Sequence, residues 1–245
     1  MGVPVIGCRC AVCSSPDPRN KRLRTSALLE VGGLNLLFDA GPDLRQQALA
    51  AGLTRLDAVL LTHSHADHVA GLDDLRPLNF AQRRAIPLYG TAQTLAFIRE
   101  RFGYAFTNAS EGSTRPALDL VEIDGKTVFE IGPVKVVPFD VLHGTWTITG
   151  FRIGGLGYVT DASVIPAASI VHLRDLDVLV LNALRLAPHP THLSVSQALA
   201  VIEELRPRRA LLVHMTHDLD HETTNAMLPE HVRLAYDGQV VDIQS

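Results

Sequence analysis

The stretch Leu60-Leu61-Thr62-His63-Ser64-His65-Ala66-Asp67-His68-Val69-Ala70-Gly71 places three histidines and an aspartate directly behind the apolar run Asp57-Ala58-Val59-Leu60-Leu61. That run reads as a buried strand, and Gly71-Leu72-Asp73-Asp74-Leu75 as the helix that follows it. The four polar residues therefore fall on the connecting turn, where side chains converge without obeying helical or strand periodicity. Imidazole and carboxylate gathered at one point suit zinc, manganese or iron. The bland alternative is a solvated, histidine-rich loop.

Composition bounds what such a loop serves. With 245 residues at 47% hydrophobic content, the chain can bury the core of one large α/β domain spanning 1–245. A net charge of -4 argues against nucleic acid as the partner. No apolar run approaches the roughly 18 residues of a membrane span. No signal peptide opens the chain, so a cytoplasmic location is expected.

Three cysteines cannot build a disulfide framework and point to reduced thiolates. Gly7-Cys8-Arg9-Cys10-Ala11-Val12-Cys13 forms a C-x-C-x-x-C knuckle, over 7–14, with no helical or strand pattern. A structural zinc site is closed and four-coordinate, commonly Cys₃His, so one more ligand is required from elsewhere. The competing reading is three small buried hydrophobes. Beyond it, Arg19, Lys21, Arg22 and Arg24 make a basic run that either meets phosphate or lies in a solvated loop.

Gly32-Gly33 turns a hairpin, and Leu44–Ala51 has helix-forming composition with Gly52 as its cap. Thr91 caps a helix to about Arg101. The aromatic segment 102–106 is either a pocket wall or a helix end in the core. A polar loop is expected at 108–118, strands near 119–123, 126–130 and 133–141, and a hairpin at Gly154-Gly155. A helix is expected from Ser194 to Leu205, and closing strands at 232–236 and 240–243.

His63-x-His65-x-Asp67-His68 resembles the H-x-H-x-D-H signature of the metallo-β-lactamase superfamily, and the likeness extends along nearly the whole chain. The resemblance implies a four-layer αββα sandwich holding two divalent ions, zinc or manganese. It also implies three later ligands, and His143, Asp161 and His214 each close an apolar run in the required order. In the family pattern His63, His65 and His143 hold one metal and Asp67, His68 and His214 the other. Asp161 joins the two, and a metal-bridging hydroxide is the nucleophile. Asp39-Ala40-Gly41 matches the family's D-x-G, which makes Asp39 a supporting partner for a ligand imidazole.

The cysteine knuckle resembles one branch, the cyclic-phosphate phosphodiesterase of the carbon-phosphorus lyase pathway and its relatives. There the fourth zinc ligand lies three residues beyond the last active-site histidine, which is His217 here, with His221 the runner-up. His192 matches the branch's proton-donating histidine, so His192 and Asp67 are the catalytic residues expected beside the metals. Relatives also carry a strand and a glycine-rich turn just before the Gly2-Val3-Pro4 position. A first strand is therefore expected to be missing, through a start at an internal methionine or a truncation.

The function implied is a dinuclear metal-dependent hydrolase of small phosphodiesters, cyclic ones included, with one structural zinc. Its partner is a small-molecule substrate, no membrane is involved, and a homodimer is open to it. A thioester or lactone hydrolase uses the same ligands for acyl transfer. A β-lactamase is disfavoured, because several of these carry cysteine where Asp161 stands and are secreted. No arm-like insertion of a transfer-RNA-processing nuclease stands out. Non-catalytic relatives in cofactor biosynthesis tend to lose ligands that this chain keeps.

Overall fold

Apolar runs at 34–38, 58–60 and 86–91 lie side by side as parallel strands, which brings their carboxyl ends to one edge of a sheet. The computed structural model describes residues 2–107 and 114–243 and divides into two compact units. Residues 108–113 of the expected polar loop, and Met1, lie outside the described residues.

The first unit comprises Arg24–Thr127 with Ile131–Val134. Its five-stranded sheet runs in the order β1 (Ala27–Val31), β2 (Leu34–Phe38), β3 (Ala58–Leu60), β4 (Ile86–Thr91) and β5 (Leu118–Ile123). Only the β1–β2 hairpin is antiparallel, turning at Gly32 and Gly33, both with positive φ. Helix α1 (Leu44–Ala50) stops before Gly52, whose φ of 61° no side chain opposes. Leu37, Val59, Leu61, Leu72, Leu88 and Ile98 belong to one buried cluster.

The ligand loop departs from expectation. Asp67 and His68 sit on a four-residue helix, α2 (Ala66–Val69), with His65 at its N-cap. Leu72–Leu75 is a 3₁₀ turn rather than the main helix, and α3 (Arg76–Gln82) follows with proline in its first turn. Glycines explain the tight folding here: a Cβ at Gly41 would collide with the Asp67 carbonyl, and one at Gly71 with the Gly41 carbonyl. Helix α4 (Ala92–Arg101) starts where Thr91 accepts from the Thr94 N–H, as expected. The aromatic segment forms α5 (Gly103–Phe106), and Phe102, Ala105 and Phe106 pack on the core cluster, which favours the helix-end reading.

The second unit comprises Met1–Leu23, Val128–Glu130 and Lys135–Ser245. Its strands are β6 (Phe129–Ile131), β7 (Val134–His143), β8 (Trp146–Ile153), β9 (Leu156–Val159), β10 (Val178–Asn182), β11 (Arg209–Val213) and β12 (Val232–Leu234). The sheet order is β12-β11-β10-β9-β8-β7-β6, parallel from β9 to β12. Every residue of β10 is buried, as its apolar run Val178-Leu179-Val180-Leu181 requires when both faces are covered. After α6 (Ala167–Ile170), helix α7 (Val195–Leu205) opens on a full capping box between Ser194 and Gln197. Helix α8 (His221–Met227) precedes β12.

No strand forms at 240–243, contrary to the pattern reading. The Gln239 N–H bonds to the Tyr236 carbonyl, so the Asp237-Gly238 turn closes on itself instead of leading into a ladder. The basic run is engaged by the protein's own groups, with Arg22 buried and Arg19 still exposed to solvent. Arg22 is buried and donates to the Thr216 and Leu219 carbonyls, Arg19 pairs with Asp17, and Lys21 reaches the Cys13 carbonyl. In the first unit Arg24 pairs with Asp43 at 3.1 Å. Among the described residues, no helix is long and apolar enough to cross a membrane.

Candidate metal centres

In the first unit, the ligand loop hangs from one buried carboxylate. Asp39 follows β2 with φ 58° and is fully buried. Its Oδ1 accepts the Thr62 N–H at 2.8 Å, and its Oδ2 accepts both the Thr62 hydroxyl at 2.8 Å and His68 Nδ1 at 2.7 Å. The Thr62 hydroxyl gives its one proton to Asp39, so it must accept from His63 Nδ1, which lies 3.0 Å away. One carboxylate thereby fixes the tautomers of two imidazoles and leaves Nε2 of His63 and of His68 with lone pairs for a cation. His63 Nε2 lies 3.0 Å from His65 Nδ1, and Asp67 Oδ2 lies 4.0 Å from His68 Nε2. Asp39→Asn should weaken metal binding about 10–100-fold with little change in fold, because Asn tolerates the backbone but loses the acceptor charge. Titration of the metal-free protein checks this; unchanged affinity would show that Asp39 does not support the ligands.

In the second unit, the ends of parallel strands supply the candidates. Such carboxyl ends are where open α/β sheets place their ligands. Asp161 lies just past β9 and His214 immediately follows β11. Asp161 is buried with φ 59°, and His214 has φ 56°. Between them on β10, the buried Asn182 side chain accepts the Ala162 N–H and donates to the Ala162 carbonyl, which fixes the chain just after Asp161. Thr160 donates to Asp161 Oδ1 at 2.7 Å. Three imidazoles surround this carboxylate: His214 Nε2 at 3.4 Å, His143 Nε2 at 4.0 Å and His192 Nδ1 at 4.0 Å. His143 ends β7 and gives its Nδ1 proton to the Thr191 carbonyl at 2.7 Å, which frees Nε2 for a metal.

The His192 ring lies 4.6 Å from that of His143 and 4.9 Å from that of His214. Burial pushes its pKa down to about 3, a fall that the Asp161 carboxylate opposes and the neighbouring histidines deepen. His192 is therefore neutral at neutral pH.

The knuckle is also complete within the second unit. His217 Nδ1 lies 3.2 Å from Cys8 Sγ and 3.5 Å from both Cys10 Sγ and Cys13 Sγ. His221 packs edge-on against Tyr236 instead. The Cys13 N–H bonds to Cys10 Sγ and, as the leading cause, draws the Cys10 thiol down to about 6, whereas burial raises that of Cys13. A thiolate at Cys10 near neutral pH suits a borderline-soft ion such as zinc.

Sequence reading missed Thr62, Thr191 and Asn182, which orient candidate ligands through hydrogen bonds. It also missed the left-handed backbone of Asp39, Asp161 and His214, an arrangement that costs of order 1 kcal/mol each and clusters at functional sites.

The beta-lactamase superfamily domain matches residues 34–215 of the chain. An octanoyltransferase of Porphyromonas gingivalis is 39% identical over 240 residues, covering 97% of this chain and 48% of the relative. Ribonuclease Z of Mycolicibacterium gilvum is 32% identical over 186 residues, covering 69% of this chain and 63% of the relative. The chain thus spans from about half to under two thirds of the length of these curated relatives. A crystal structure of a new diphosphatase from the PhnP family superposes with a TM-score of 0.91 at 41% identity, covering 98% of this chain and 91% of that one.

Proposed function

The chain belongs to the beta-lactamase superfamily and has its α/β metallo-β-lactamase fold, and from that premise we propose a metal-dependent hydrolase of small phosphodiesters. The observation that carries the reading is the Asp161 carboxylate ringed by three imidazole nitrogens. Family likeness to a diphosphatase and to ribonuclease Z supports phosphoryl chemistry over acyl chemistry.

The donor set fits divalent ions. It is all imidazole and carboxylate, and its tautomers are already set by Asp39 and by the Thr191 carbonyl. On the family pattern, His63, His65, Asp67 and His68 of the first unit and His143, Asp161 and His214 of the second are the residues that would hold the two ions. Bound zinc or manganese supplies Lewis acidity that neutralises phosphoryl charge and activates water at neutral pH. Cys8, Cys10, Cys13 and His217 hold a separate structural zinc.

The rest of the chemistry belongs to side chains. Asp39 keeps His63 and His68 pointed at their target, and Asn182 keeps Asp161 in place. His192 stands beside Asp161 as the proton donor to the departing alkoxide. Because burial leaves free His192 neutral, it must take up a proton from solvent when the anionic diester binds, the phosphoryl charge favouring the imidazolium. Its ionisation should then limit kcat on the alkaline side, whereas kcat/KM, which reports the free enzyme, should fall with rising pH through neutrality without an inflection there.

His192→Ala should cut turnover of an alkyl or cyclic diester by about 10²–10⁴-fold, the usual contribution of a general acid. Turnover of a nitrophenyl diester, whose leaving group needs no proton, should fall much less. Equal losses on both substrates, or lost metal, would make His192 a structural residue or a ligand.

The second reading is thioester hydrolysis, favoured by the acyl-transfer name of the Porphyromonas gingivalis relative, of which the chain matches about half. A panel of cyclic and linear phosphodiesters, thioesters and lactones separates the two. Phosphodiester turnover well above thioester turnover is expected, and the reverse order would replace the first reading.

A further inference from the structure

β11 and β12 pair with Ala210 opposite Val232 and Leu211 opposite Arg233. Ala210, Leu212, Val232 and Leu234 belong to the core cluster, so strand alternation puts Arg209, Leu211 and Arg233 on the other face. There they line, with Arg208, Glu230 and Gln239, an open surface depression of about 520 Å³. That volume lies in the range of small-molecule sites.

Two of the three arginines are not balanced by an ion pair. Among the described residues Arg209 and Arg233 form no ion pair, although Arg233 Nη1 donates to the Pro229 and Val232 carbonyls. Arg208 is held 3.4 Å from Asp177. Glu230 pairs with none of the three. Nearby like charges on one sheet face repel, and the chain as a whole carries -4, so this cationic cluster runs against its background.

We propose that this depression binds a small phosphate monoester. Forked guanidinium groups match phosphate oxygens in pairs. Glu230 accepts from hydroxyl or amino groups on the ester's body, which a bare phosphate ion lacks. A concave space for one small molecule, rather than a basic stripe, favours this occupant over a nucleic-acid chain. Arg209 lies at the opposite end of β11 from His214, about 16 Å away at roughly 3.3 Å per residue, and Leu211 with its partner Arg233 lies about 10 Å away. Binding there is therefore separable from catalysis.

Calorimetry on the metal-loaded protein, with adenosine monophosphate, glucose 6-phosphate, inorganic phosphate and a short oligoribonucleotide as probes, tests the assignment. Arg209→Ala and Arg233→Ala should each weaken one phosphate monoester about tenfold, with inorganic phosphate binding more weakly throughout. Turnover of bis(4-nitrophenyl) phosphate should be unchanged, which separates this site from the metal centre. Arg209→Lys, which keeps the charge but not the fork, guards against a folding artefact and should fall between. Unchanged monoester affinity in the variants would overturn the proposal. So would inorganic phosphate binding as tightly as the esters, or arginine-dependent binding of the oligoribonucleotide alone.

Discussion

Asp161→Ala is expected to abolish turnover, by well over the roughly 10²-fold that follows loss of a residue that merely supports a ligand. The reason lies in position as well as chemistry. His143, His192 and His214 all direct a ring nitrogen at this one carboxylate, within 4.0 Å. Removing it leaves three imidazoles gathered around nothing that can share charge between two cations. Alanine at φ 59° also adds backbone strain, so Asp161→Asn is the necessary companion, since Asn adopts the left-handed conformation readily. Both variants should lose activity and metal from the paired site, while the asparagine protein should keep its melting temperature and its knuckle zinc. Near wild-type turnover in Asp161→Asn would end the case for a shared carboxylate.

Cys10→Ser is expected to act on the fold instead. The knuckle ties residues 8–13 to His217, three positions past His214, through sulfur-to-nitrogen distances of 3.2–3.5 Å. Structural zinc sites contribute folding free energy directly. With about 2–4 °C lost per kcal/mol in a chain of this size, a drop of about 10 °C or more corresponds to only a few kcal/mol. One metal per chain should disappear, and specific activity per folded molecule should hold. A Cys10→Ser protein with unchanged metal content and melting would mean that three thiols and a histidine meet there without an ion.

The parts of this structure legible in the sequence share one property: side chains of their kind are seldom crowded so closely except to bind metal. His63, His65, Asp67 and His68 crowd one loop, and Cys8, Cys10 and Cys13 one knuckle, so spacing alone marks them as ligand candidates. His143, Asp161 and His214 are reached only through family resemblance, because a lone polar residue after a strand says little by itself. Parallel β9, β10 and β11 are what bring Asp161 and His214 to the same sheet edge. Thr62, Thr191 and Asn182 carry no such signal. Thr191 acts through its backbone carbonyl, which any residue possesses, and Asn182 looks like the polar end of an apolar strand until its two bonds to Ala162 are seen. The expected strand at 240–243 is absent for a related reason. Alternating apolar residues mark a segment able to pair, whereas pairing needs a neighbour, and the turn at Asp237-Gly238 leads to none among the described residues.

We propose that paired divalent ions on this ligand set hydrolyse phosphodiesters. The most direct test is turnover of bis(4-nitrophenyl) phosphate by protein stripped of its labile metals and reloaded stepwise with zinc or manganese, with bound metal measured at each step. Activity should be absent in the stripped protein, rise as the paired sites fill, and level off when about two ions beyond the knuckle zinc are bound. Full activity in the stripped protein, or none at any loading, would contradict it.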